Sequence, residues 1–120
     1  MHATILFGHG SRDPAWRKPI DSVAERMLQI SPETRVRCAF LELTQPDLPT
    51  VAADLIATDV RHITIVPMFL GVGRHAREDL PVLVIELQQT YPEVNFVLRP
   101  SVGEDPRVVE MLAKLSLPDA

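Results

Sequence analysis

Four short apolar runs, set apart by longer amphipathic stretches and punctuated by Gly and Pro, constrain this chain more than any other feature. Thr4-Ile5-Leu6-Phe7 ends at Gly8 and reads as a buried strand. Ile20, Val23, Ala24, Met27 and Leu28 recur at helical spacing, which predicts a helix of about four turns starting near Pro14. Ser31-Pro32-Glu33 breaks it. Val36, Cys38 and Phe40 alternate with Arg35 and Arg37, a second strand that runs into Leu41-Glu42-Leu43. Thr44-Gln45-Pro46-Asp47 is a turn, and Val51, Ala52, Leu55 and Ile56 mark a shorter helix. Ile63-Thr64-Ile65-Val66 is the third strand, ended by Pro67. Residues 68 to 75 fit neither period. A third helix is expected over roughly Asp79 to Gln89, with Pro81 in its first turn, where proline is tolerated. Val94 to Leu98 is the fourth strand, and Asp105-Pro106 caps a last helix through Met111 and Leu115. The order βαβαβαβα implies one α/β domain over residues 1–120, with a four-stranded parallel sheet and flanking helices. The apolar strands further predict a sheet covered on both faces.

Composition narrows the function. The chain has 120 residues, of which 46% are hydrophobic and 23% charged, enough to build a core. Its net charge of −4 argues against nucleic acid as a partner, because phosphate binding needs a basic field. No apolar run reaches the roughly 18 residues of a membrane span. The first residues show no basic leader followed by a long apolar stretch, so a cytoplasmic location is expected. Cys38 is the one cysteine, which excludes an internal disulfide and a CxxC zinc site. It sits mid-strand and is expected to be a buried, inert thiol. Metal chemistry must then use His, Asp or Glu.

Ligands of an open α/β sheet bind beyond the carboxyl ends of the strands, where the winding reverses. The loops at that end hold His9, Glu42 and His75, each 33 residues from the next. His2 and His62 fall at the opposite end. Imidazole suits Fe, Co, Ni and Zn ions, and a carboxylate completes such a site. Imidazole also takes protons near neutral pH. Each residue has a plainer reading: Gly8-His9-Gly10-Ser11 as a tight turn, Gly71-Val72-Gly73 as a connector, and Glu42 as a cap or ion-pair partner. Neither glycine loop fits a P-loop or GxGxxG pattern. Arg12, Arg74 and Arg77 border the same loops; they read singly as surface charge and together as a grip for carboxylates. Trp16, Met68, Phe69 and Leu70 belong to the core or form a wall for a flat aromatic ligand or a subunit.

The segments Gly8-His9-Gly10-Ser11-Arg12-Asp13-Pro14, Phe40-Leu41-Glu42-Leu43 with Pro46, and Pro67 to His75 with Asp79-Leu80-Pro81 resemble the class II tetrapyrrole chelatases. Among these the chain is most similar to the short form of the CbiX/SirB group, the sirohydrochlorin chelatases. The resemblance covers nearly the whole chain in order. It implies a flavodoxin-like chelatase half-domain that inserts Co²⁺ or Fe²⁺ into sirohydrochlorin without ATP, for siroheme, cobalamin or, with Ni²⁺, a nickel tetrapyrrole. The divalent metal is then a substrate, and no organic cofactor is expected. It also implies a homodimer, since longer relatives carry two such domains. His9 and His75 carry over as metal-site histidines and Glu42 as the acidic residue of catalysis. Ser11, Arg12, Arg74 and Arg77 are the candidates for holding the carboxylate-rich macrocycle. A non-catalytic carrier of metal or tetrapyrrole with the same fold, and a small-ligand domain with incidental histidines, are the competing readings.

Overall fold

The computed structural model describes residues 1–119. Four parallel strands, β1 (His2–Gly8), β2 (Val36–Phe40), β3 (His62–Pro67) and β4 (Asn95–Leu98), form one sheet in the order β2-β1-β3-β4. The helices between them are α1 (Lys18–Ile30), α2 (Leu48–Ala57) and α3 (Arg74–Thr90), with α4 (Pro106–Ser116) following β4. Short 3-10 turns at Pro14–Arg17 and Val102–Glu104 lead into α1 and α4. Aspartates mark several starts. Asp13 accepts from the Ala15 amide (3.0 Å), Asp47 from Thr50 (2.9 Å) and Asp105 from Arg107 (2.8 Å), each with a proline in the following turn.

Alternation along the strands sorts the core into two layers. Ile5, Phe7, Ile63, Ile65 and Phe96 point to the face covered by α2 and α3, where they meet Leu48, Val51 and Leu80. Leu6 and Phe40 point to the other face and pack with Ile20 of α1. Full burial of side chains such as Phe7 and Ile65 contributes about 1.5–3 kcal/mol each.

Several expectations need correction. Helix α3 begins at Arg74, not near Asp79, so Pro81 lies inside it. Gly73, in an extended conformation, serves as its N-cap. Pro81 forfeits only the bond to the Arg77 carbonyl, while buried Ala76, Leu80 and Leu87 hold the surrounding turns. Strand β2 stops at Phe40, and the chain beyond it leaves the extended course, with Leu43 at φ 65°. Cys38 is half-buried. Burial first, and Asp21 beside it, push its thiol up to about 11. It is therefore protonated at neutral pH and inert, as expected.

The sheet is also not covered on both faces. Helix α1 packs mainly over β2 and β1, reaching β3 at half-buried Val66, and α4 does not continue that layer. Thr64, Val66 and Val97 alternate with the buried residues of β3 and β4 and so face the uncovered side. Val97 is 44% exposed there. Helix α4 buries no residue, and every described residue after Val108 is exposed.

Candidate metal centre

Winding reverses between β1 and β3, since β2 lies on one side of that pair and β4 on the other. A crevice at the carboxyl end of such a pair is where an open sheet binds ligands. His9 follows β1 directly, and His75 sits on the first turn of α3, which β3 feeds through residues 68–73.

The loop after β1 is joined to the one after β2. The Leu41 amide donates to the Gly8 carbonyl (3.0 Å), and the Glu42 amide donates to His9 (3.1 Å). The Ser11 amide donates to Thr44 Oγ1 (2.9 Å), whose hydroxyl donates back to the Ser11 carbonyl (2.8 Å). This contact requires Gly10. Its φ is +107°, and a Cβ there would lie 1.6 Å from the Glu42 carbonyl oxygen. The second loop is tethered at its far end by Arg17, which donates to the Gln45 carbonyl (3.0 Å) while its guanidinium lies over the Phe40 ring.

This framework places Glu42 Oε1 2.9 Å from His9 Nε2. Across the crevice, His75 Nε2 pairs with Asp79 Oδ2 at 2.5 Å, one helical turn away. The two imidazoles stand edge to face with centroids 6.3 Å apart. His9, Glu42 and His75 thus gather as the sequence predicts, and all are partly open to solvent. The site is not a closed cage: among the described residues, no three His, Cys, Asp or Glu side chains surround a common point. It consists of two imidazole–carboxylate pairs facing each other. The carboxylate partner orients each ring, and Nδ1 remains the second possible donor atom of each.

Asp79 was not among the predicted site residues. Its signal was present in the i, i+4 spacing from His75, but that spacing has meaning only if the helix begins before His75. The remaining candidates are dispersed around the rim. Ser11 is committed to the loop clasp, and Arg12 is exposed beside it. Arg74 pairs with Glu78 (3.0 Å). Arg77 borders an apolar pocket of about 180 Å³ with Phe69, Leu98 and Arg99, the last another residue the sequence reading passed over. Of the apolar candidates, Phe69 is buried, Trp16 packs against Phe40, and Leu70 is exposed. Leu43, in the loop after β2, is exposed as well. His2 and His62 stack on each other at the opposite end of the sheet, with ring centroids 4.6 Å apart.

Known proteins share this architecture. The sequence is 29% identical over 136 aligned residues to the sirohydrochlorin cobaltochelatase of Methanococcus aeolicus, covering 93% of this chain and 95% of that one. The crystal structure of a CbiX protein from Marinobacter aquaeolei superposes with a TM-score of 0.81 at 30% identity, over 96% and 93% of the two chains. Bacillus subtilis SirB with Fe³⁺ superposes at 0.78 and 25% identity over 98% of this chain, and a SirB complex with cobalt superposes equally well over 94%. In both comparisons the chain spans about half of the SirB length. The CbiX family model matches residues 3–116, which takes in all of the sheet but its first residue and both imidazole–carboxylate pairs; the chain belongs to the CbiX family.

Proposed function

We infer that the protein is a sirohydrochlorin chelatase, an enzyme that inserts a divalent metal ion into the tetrapyrrole. The observation that carries this reading is the pair of imidazole–carboxylate couples facing each other at the sheet's switch point. Insertion exchanges two pyrrole N–H protons for one M²⁺. A site for it needs donors that hold the ion loosely and bases that take two protons. Two imidazoles backed by Glu42 and Asp79 supply both, and a half-open donor set suits an ion that must leave. One imidazole nitrogen cannot bind the ion and a proton together, so the couples divide the work or use Nε2 and Nδ1 in turn.

His9 and His75 are the proposed metal ligands, with Glu42 and Asp79 as their orienting and proton-relaying partners. Leu43 and Leu70 offer apolar surface to the macrocycle face, and Arg12, Arg74 and Arg77 offer charge to its carboxylates. Co²⁺, Fe²⁺ and Ni²⁺ all suit imidazole and carboxylate donors. A rim this open encloses little of so large a ligand, which supports a cleft completed by a second copy. A spectroscopic insertion assay with sirohydrochlorin and each of the three ions tests the reading. A chelatase yields many metallated products per chain. A carrier stops at one per site, and that outcome would replace the enzyme reading with transport.

A further inference from the structure

The end of the sheet away from the crevice carries the other two of the four histidines. His2 opens β1 and His62 opens β3, and the two are direct partners in the parallel register. Neighbouring strands lie about 4.8 Å apart, so in-register side chains leaving the same face stand side by side. The two rings do so, stacked with centroids 4.6 Å apart and planes 24° from parallel. Both residues are exposed. They lie on the α1 side of the sheet, because the next residues, Ala3 and Ile63, point into the core on the other face.

Such a pair has the reach of a cation site. A first-row divalent ion binds imidazole nitrogen at about 2.0–2.1 Å, so two rings on neighbouring coordination positions hold their nitrogens about 3 Å apart. Stacked rings reach that spacing by turning their nitrogen edges toward each other, and the last torsion of histidine is broad enough to allow it. The strands beneath need not move. The His62 amide donates to the Met1 carbonyl (3.2 Å), which ties the two strand starts together. The rings are thus presented side by side by the two central strands.

His2 also walls a hollow of about 350 Å³ with Thr4, Glu33 and Arg35. The hollow has room for the waters that complete an ion's shell, and Glu33 brings a carboxylate to its wall. The opposing charge, Arg35, is held through its guanidinium by Thr58 Oγ1 (3.1 Å).

We propose that His2 and His62 form a second cation site, which takes an imidazole-seeking divalent ion (Ni²⁺, Cu²⁺ or Zn²⁺) and bridges β1 to β3. Mg²⁺ and Mn²⁺ prefer oxygen donors and are not its ligands. The seven residues of β1, about 23 Å, separate this site from the rim, so its ion is not handed directly to His9. The site is independent of the chelatase reading. An ion that binds only where both strands are in place stabilises the fold by mass action.

The test uses the full, untagged chain and Zn²⁺ alone. His9→Ala with His75→Ala removes the rim imidazoles. By titration calorimetry this double variant is expected to bind one Zn²⁺ per chain. Adding His62→Ala, or separately His2→Ala, is expected to weaken that binding at least tenfold. Both positions are exposed, so circular dichroism should show the fold unchanged, and His62→Gln should give the same loss without emptying the position. Saturating Zn²⁺ should raise the melting temperature of the double variant by about 5 °C or more and that of neither triple variant. In NMR spectra of the double variant, the ring signals of His2 and His62 should shift together as Zn²⁺ is added. Zn²⁺ held equally well without either ring, a shift of one ring alone, or no binding by the double variant would each overturn the pair. His62→Ala alone should keep the sirohydrochlorin insertion rate within twofold of wild type. A larger fall would tie the pair to the reaction and overturn its independence.

Discussion

His9 and His75 hold equivalent positions in two couples, yet their supports differ. His9 sits on a loop clamped through Gly10 and Thr44, whereas His75 rides on the rigid first turn of a seventeen-residue helix. Removing either imidazole should cut the insertion rate by about 100-fold or more, because each supplies a donor or base that nothing adjacent replaces. Both His→Ala proteins should keep their far-ultraviolet spectra: His9 is outside regular structure, and alanine is the best helix former at position 75. Initial rates with sirohydrochlorin and Co²⁺ check this, and near-normal rates in both variants would remove the site. Glu42→Gln and Asp79→Asn keep a hydrogen-bonding group but lose the charge behind each ring. Each is expected to slow insertion about tenfold to 100-fold, the usual range for partners of ligand histidines. Full activity of Asp79→Asn across pH would leave Asp79 as an ordinary helix-surface pair.

The elements that carry these residues begin at caps, and one cap gives a pH-dependent prediction. Hydrogen bonds from Thr50, hydroxyl before amide, hold the Asp47 carboxyl below its ordinary value at the start of α2. The charged form is thus favoured by folding. Its contribution is fully present above the unfolded value near 3.9 and is lost as pH falls through the lower folded value. Asp47→Ala should cost about 1 kcal/mol at pH 7, the common cost of losing an N-cap. The gap from wild type should narrow below about pH 4, and Asp47→Asn should retain most of the cap. Urea midpoints at pH 7 and pH 3 measure this; an equal gap at both would place the effect elsewhere. Elements are also the scale at which sequence reading succeeded and failed. Short β-branched runs ended by Gly or turn residues located all four strands, and the carboxyl-end rule then gathered His9, Glu42 and His75 from segments 33 residues apart. Gly71, Gly73 and Pro81 misplaced the start of α3, because these residues signal breaks locally while buried Ala76 and Leu80 decide the helix through tertiary packing. That single boundary hid the His75–Asp79 couple. The course of α4 was out of reach for another reason: a periodic pattern says which side chains need burial, not which chain buries them.

At the scale of the whole molecule, the open rim and the uncovered half-sheet point the same way. The proposed metal site draws its side chains from one chain, all near its surface, so a lone copy would offer the ion its donors but surround little of the macrocycle. A ligand of that size is gripped and shaped mainly by walls, and bending the ring toward the ion draws on binding energy spread over its area. A second copy would bring such walls close to the rim carrying His9 and His75. Activity should then follow the population of dimer by mass action. On serial dilution, the insertion rate per chain is expected to fall in parallel with the dimer fraction measured by sedimentation, reaching half where half the chains have separated. Dissociated chains should show the low rate while still binding Co²⁺ at His9 and His75. Metal binding without turnover would separate holding the ion from distorting the ring. A rate per chain that stays constant through dissociation would instead assign both steps to a single copy.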